Sequence, residues 1–314
     1  MLKVLSISIL VLFLTSCNSS LKLKDFPIPV LSAKDYQLDT AVKVSFSVIE
    51  TAYSFTKEAF LFKGGKWFKK RKITHSAFLV QHPQGNFLFD TGIGSEVSNQ
   101  VKDQFSFVQR KGSKYVKLKT VAETLEENHY SKDFLAFVLL SHMHWDHAGG
   151  IEDFHHPLVY TTKLEHDHAF QEHSEGSYFI QQQFDSSNVQ WKFLTFDSIP
   201  YKVFLQSLDL FGDGTVVLVP LQGHTKGSIG MFLNLPSGNK YFFIGDVAFA
   251  KEAITGPSEK HFIPRNQVDN DRKAVQNQLV LLHYLQKLQA DIHIIPSHDY
   301  QAIKDLAHFP TLQK

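Results

Sequence analysis

The chain has 314 residues, 43% of them hydrophobic, and a formal net charge of +1. That composition fills a sizeable core and excludes a disordered chain, and the near-zero charge argues against a nucleic-acid partner. A single cysteine excludes a disulfide framework.

In chain order, Met1-Leu2-Lys3 is a short basic start and Val4 to Leu14 an apolar run too short for a stable spanning helix, followed by Leu14-Thr15-Ser16-Cys17. Residues 1–17 read as a secretory signal peptide whose ending resembles a bacterial lipobox, where the cysteine is lipidated and becomes the mature N-terminus. An ordinary signal with an incidental cysteine is the alternative. The expectation is therefore an exported protein held by a lipid anchor at Cys17 to a bacterial membrane, facing the periplasm or the cell exterior. Residues 18–33 read as a tether and 34–314 as one domain, since no repeat, linker or second apolar span interrupts them.

Val42 to Thr51 alternates apolar and polar side chains and predicts a half-buried strand. Lys63-Gly64-Gly65-Lys66 is a turn. The basic run Lys66 to Lys72 around Trp67 and Phe68 could touch a membrane or shape a substrate rim, with a solvated hairpin as the expected reading. Strands follow at Ser76 to Gln81 and Asn86 to Phe89, the second ending in Asp90-Thr91-Gly92. Thr120 to Asn128 has helical spacing and leads into the apolar run Phe134 to Leu140, a buried strand. Residues 157–204 are irregular and rich in aromatics, suiting either a substrate wall or a helical layer on a sheet. His155, His156, His166, His168 and His173 in or beside this region read as surface or ordinary polar residues. Strands at Thr215 to Leu221, Ile229 to Leu235 and Lys240 to Ile244 precede a helix within Val268 to Leu288 and a last strand, Asp291 to Ile295. Strands, then helix, then strand, occurring twice, indicate a mixed sheet layered with helices.

The chemistry gathers at strand ends. Directly after Leu140 comes Ser141-His142-Met143-His144-Trp145-Asp146-His147-Ala148-Gly149-Gly150. In an extended segment His142 and His144 point to one side and can grip one metal, while Asp146 and His147 follow as the chain turns and can face a second. Imidazole with carboxylate suits zinc or a similar first-row ion. His224, Asp246 and His298 each end a further apolar strand. Rigid sheets hold such loop residues from distant parts of the chain in one place.

This set resembles the metallo-β-lactamase superfamily over nearly the whole mature chain. The resemblance implies an αββα sandwich of two mixed sheets with outer helices. It implies that His142, His144 and His224 hold one metal ion, that Asp146, His147 and His298 hold another, and that Asp246 bridges both, with Asp90 orienting a bound histidine. Two zinc ions, or other divalent first-row metals, would then hold a bridging hydroxide that attacks a carbonyl carbon or phosphorus of a small-molecule substrate, with Asp146 or Asp246 passing a proton to the leaving group.

Asp246 distinguishes the chain from true β-lactamases, which lack the bridging aspartate, and the intact first motif distinguishes it from the iron flavoproteins. Glyoxalase II-like thioesterases and N-acyl homoserine lactonases carry the complete set, and the motif flow looks most like the lactonases. Those lactonases place a tyrosine three residues after the bridging aspartate, where it meets the substrate carbonyl. Here Phe249 stands there and cannot donate, unless Tyr160 or Tyr178 reaches in. Lys226 stands where proline is common. The expectation is a dinuclear hydrolase of an ester-type bond, with phosphoester or thioester hydrolysis, and a non-catalytic metal-binding lipoprotein, as alternatives.

Overall fold

The computed structural model describes residues 20–32, 36–171 and 177–314. The segment expected to be a signal peptide, with Cys17, the first two residues of the expected domain, and His173 lie outside the described residues. Among the described residues no helix is long and apolar enough to cross a membrane. The described part of the segment expected to be a tether packs on the rest of the chain: Leu21 N–H donates to Pro257 O at 2.6 Å, and Leu21 and Leu31 pack against the helix-covered core of one sheet.

Among the described residues twelve strands form two sheets. They are β1 (Ser45–Lys57), β2 (Lys70–Gln81), β3 (Phe87–Phe89), β4 (Val116–Lys117), β5 (Phe137–Leu139), β6 (Leu158–Thr162), β7 (Gln190–Leu194), β8 (Leu208–Asp209), β9 (Val216–Pro220), β10 (Ile229–Asn234), β11 (Lys240–Phe243) and β12 (Ile292–Ile295). The seven-stranded sheet has the order β4-β1-β2-β3-β5-β6-β7 and the five-stranded sheet β12-β11-β10-β9-β8. Both are mixed: β3, β5, β6 and β7 run parallel, as do β11 and β12, and the other neighbours are antiparallel.

Period-two alternation sorts each strand between two layers. In β2, Phe78 and Val80 face the other sheet, where they meet Met231, Leu233 and Phe243, with the Phe78 and Phe243 rings 4.5 Å apart. Ala77 and Leu79 face outward, under the helix Val121–Glu127 through Val121 and Leu125. That helix starts where the sequence places it, on a reciprocal cap between Thr120 and Glu123. On the smaller sheet, Val217, Val219, Phe232 and Phe242 lie beneath Val275, Leu279, Leu282 and Leu285 of the helix Arg272–Leu288. Full burial of each such leucine contributes roughly 1.5–3 kcal/mol. The result is two facing sheets with helices outside, an αββα sandwich.

Three local expectations are corrected. β1 continues to Lys57, because a register shift between Glu50 and Ala52 changes the phase of the alternation without ending the pairing. The long C-terminal helix begins at Arg272, since the Asp271 side chain accepts from the Lys273 and Ala274 amides; Phe262–Val268 is a separate helix. Residues 157–204 hold two strands, β6 and β7, that extend the larger sheet around the helix Lys163–Gln171.

The topology also explains where the chemistry collects. Parallel β3 and β5 end at the same edge of their sheet. Antiparallel steps from β9 to β10 to β11 return the chain to one edge, which parallel β12 shares. The loops after β3, β5, β9, β11 and β12 therefore meet at one end of the sandwich.

Candidate metal centre

At that end His142, His144, Asp146, His147, His224, Asp246 and His298 are all buried and come together, with Asp90 beneath them. The segment after β5 is pinned by hydrogen bonds. Asp90 takes a left-handed conformation, φ 59°, which aims its carboxylate back into the fold. Its Oδ1 accepts from the Ser141 amide at 2.7 Å, and its Oδ2 accepts from Ser141 Oγ and His147 Nδ1, each at 2.8 Å. At Gly149 a Cβ atom would lie 2.6 Å from Trp145 O and 2.8 Å from Gly92 O, so only glycine lets the turn close.

Outer hydrogen bonds turn the ring nitrogens inward. His147 is held by Asp90, while His224 Nδ1 donates to Asp269 Oδ1 and His298 Nδ1 to Thr74 O, each at 2.8 Å. Each bond fixes the tautomer and leaves Nε2 facing the centre. There His224 Nε2 lies 3.0 Å from His144 Nδ1, and His298 Nε2 lies 3.0 Å from Asp246 Oδ2. Asp246 also reaches His147 Nε2 at 3.3 Å and His224 Nε2 at 3.6 Å, so its carboxylate touches histidines from both sides of the cluster. Asp146 lies 3.5 Å from His298 Nε2 and 4.0 Å from His147 Nε2.

Metal-ligating atoms within 4.8 Å of one another form three sets: His142, His144 and His224; His142, His147 and Asp246; and His75, Asp146 and His298. The first set brings together the three histidines that the resemblance assigns to one ion. His147 stands nearer Asp246 than Asp146, and His75 is an addition. Its Nδ1 lies 2.8 Å from Asp146 Oδ2, and its ring packs against Trp145 and His298.

Buried polar atoms require partners, and among the described residues His142 Nε2, His147 Nε2 and Asp246 Oδ1 have no hydrogen-bond partner. Burial pushes His142 and His144 well below the ordinary imidazole range and lowers His224 too, keeping them in the neutral, ligating form. Burial also works against charged His147 and His298, but Asp246 outweighs it and raises both. Asp246 is likewise buried, yet His298 and His147 hold it well below the usual carboxylate range. The carboxylates thus draw positive charge onto His147 and His298, beside three imidazoles that burial keeps neutral. Divalent first-row cations can supply that charge and suit these donor types.

Two further groups brace the centre. Lys260, fully buried, donates to Asp269 Oδ1 at 2.7 Å and so supports the carboxylate that orients His224. Glu165, also fully buried, accepts from Met143 N at 2.8 Å, Thr225 Oγ1 at 2.6 Å and Gly227 N at 3.0 Å. It ties the loop of His142 and His144 to the loop of His224. Sequence reasoning missed His75, Asp269, Lys260 and Glu165. His75 sits inside a strand, Asp269 in what reads as a helix, and Glu165 in a polar stretch, so none stands in a recognisable pattern.

The cluster forms the floor of a cavity of about 480 Å³ whose walls include His75, Trp145, Tyr178, Phe249 and Ile263. Phe249 faces the cavity, its ring edge-on to His298 at 5.2 Å and Lys260 Nζ 4.7 Å from its centre. Tyr178 also faces the cavity; burial and then the Asp146 charge push its hydroxyl up to about 12, so it stays a donor, here to Gln267 Oε1 at 3.3 Å. Tyr160 is not available, being stacked on Phe137 at 4.3 Å between the sheets. Lys226 is exposed. Of the other histidines, His155 and His156 are exposed, His166 stacks on Phe170 at 4.3 Å, and His168 is buried beside Phe179, accepting from the Lys226 amide at 3.3 Å.

A family model described as the metallo-β-lactamase superfamily matches residues 72–298. The N-acyl homoserine lactonase AttM of Azorhizobium caulinodans is 28% identical over 180 residues, covering 55% of this chain and 64% of that protein. The chain thus spans under two thirds of that relative's length. A probable metallo-hydrolase of Mycobacterium tuberculosis is 26% identical over 247 residues, 73% of this chain and 76% of the other. Among solved structures, an N-acyl homoserine lactone hydrolase with the product N-hexanoyl-L-homoserine bound at its catalytic metal centre superposes with a TM-score of 0.66 at 19% identity, over 87% of this chain and 99% of that one. The dizinc quorum-quenching lactonase AidC gives 0.54 at 16% identity, over 87% and 94%. At these identities the structural likeness establishes the fold.

Proposed function

Because the chain belongs to the metallo-β-lactamase superfamily, we propose that it is a dinuclear metal-dependent hydrolase that cleaves an ester-type bond, in a lactone or another carboxylic ester. The observation that carries this reading is the convergence of inward-facing imidazoles and carboxylates, three of their atoms without a hydrogen-bond partner among the described residues, on the floor of an open cavity. His142, His144 and His224 would hold one ion, Asp146, His147 and His298 the other, and Asp246 would reach both. Bound there, two zinc ions would supply a bridging hydroxide at neutral pH and a Lewis acid for the substrate oxygen. The protein's own groups do the rest. Asp90, Asp269 and Thr74 fix the imidazoles, and His75 holds Asp146. Asp146 or Asp246 carries the proton to the leaving oxygen.

Phe249 supports a substrate other than an acyl homoserine lactone, since that wall offers no hydroxyl to the carbonyl oxygen. Among the cavity-lining residues Tyr178 carries a phenolic hydroxyl. Elemental analysis together with turnover of a chromogenic ester tests the reading. We expect about two zinc ions per chain, and activity that chelation removes and zinc restores. A chain that hydrolyses esters while metal-free overturns it.

We further propose export and anchoring through Cys17, supported by the N-terminal sequence pattern. Cys17→Ala should abolish labelling by a fatty-acid probe, and unchanged labelling refutes the anchor.

A further inference from the structure

We propose that the rim around the cavity mouth is a surface that docks on a bilayer with anionic headgroups. Large apolar side chains stand exposed there on three separate segments. Phe55, Val108 and Ile263 line the mouth itself, and their neighbours Phe107 and Phe262 are exposed beside them. Trp67 packs edge-on against the lining residue Phe60 at 5.4 Å and against His261 at 5.2 Å, which joins it to Phe262 at 4.5 Å. Phe68, next to Trp67, is fully exposed. A contiguous apolar patch rimmed by charge marks a binding surface.

The charge selects the occupant. Three lysines stand over three of the rim rings: Lys57 over Trp67 at 5.5 Å, Lys70 over Phe55 at 5.1 Å and Lys111 over Phe107 at 4.4 Å. Apolar rings with ammonium groups alongside suit the boundary between acyl chains and phosphate headgroups. Lys66 and Lys114 add exposed positive charge. Nearby carboxylates do not cancel it, for Glu58 and Glu259 are buried and already paired, the first with Lys69 and Arg71, the second with Lys63, Arg265 and Arg272. A second copy of this chain would bring the same positive charge to the contact. An anionic bilayer complements it.

The test uses the full chain, because an N-terminal anchor alone does not press this rim into lipid. Vesicles of phosphatidylglycerol and phosphatidylcholine carrying brominated acyl chains quench only tryptophans at the acyl boundary. We expect quenching that is lost in Trp67→Phe, reduced in Phe68→Ser, and weakened about fivefold per lysine in Lys66→Gln and Lys70→Gln. Turnover of a soluble ester by Phe68→Ser should be unchanged. Absence of Trp67-dependent quenching while the protein sediments with vesicles overturns the proposal, as does equal quenching with pure phosphatidylcholine. A dimer in light scattering that Phe68→Ser dissolves, without quenching, overturns it in favour of a second copy.

Discussion

Glu165 offers the sharpest check on how the centre is held. Its carboxylate serves three donors from two ligand loops, and burial nevertheless raises its pKa, so hydrogen bonds do not fully offset the cost of a buried charge. Replacing Glu165 with Gln removes that charge at little penalty. The loss is geometric. An amide keeps one accepting oxygen and points its NH2 at the other donors, so either the Met143 amide or the Thr225 and Gly227 pair loses its acceptor. An unsatisfied buried N–H costs about 1–3 kcal/mol. Glu165→Gln should therefore lower unfolding stability by that amount in urea titration. Because the His142–His144 loop then moves independently of the His224 loop, zinc should be stripped by chelator about tenfold more readily. If stability and chelator resistance both equal those of the parent protein, Glu165 does not hold the loops together.

Asp246→Ala should cut ester turnover at least about 10²-fold, whereas His166→Ala should leave it near the parent value, since His166 stacks on Phe170 away from the centre; equal losses would misplace the site. Tyr178→Phe should lower kcat about 10²-fold if its hydroxyl meets the developing oxyanion, and Phe249→Tyr should raise lactone hydrolysis. Steady-state kinetics on both variants decides, and two unchanged rates refute the assignment. Glu259 is buried, which raises its pKa, but Arg272 and Lys63 bring it down to about 2 from 4.5. A depressed carboxylate stabilises above its unfolded pKa, so about 3 kcal/mol should be lost as pH falls from 4.5 towards 2. In Glu259→Gln the acid unfolding limb should flatten over that range.

Much of this was legible in sequence, for physical reasons. β5, β9 and β11 are short, largely buried apolar runs, and His142, His224 and Asp246 follow where those runs stop. The helix start at Thr120 stands where helical spacing begins, whereas the cap at Asp271 lies inside a run whose apolar spacing continues from Val268. What was illegible depends on the third dimension. His75 is one polar residue inside a strand, and nothing in its neighbours says that β2 passes beside Asp146. Glu165 and Lys260 act on loops distant in sequence. The edge strand β7 hid among aromatics because neither of its faces is fully buried.

One strand has a mechanical consequence for how the cavity opens. β2 runs unbroken from beneath the helix Val121–Glu127, where Leu79 is buried, to the cavity wall, where Ile73 and His75 stand. Its buried middle, Thr74 to Val80, should open only with the sandwich, so the His75 wall should share a slow hydrogen-exchange class. The opposite lip is built from the short helices Phe107–Gly112 and Phe262–Val268, which bury little of their own surface. These should exchange quickly through local opening. Access to the cavity would then be set by yielding of the lip over a rigid floor, at residues far from the ligand cluster.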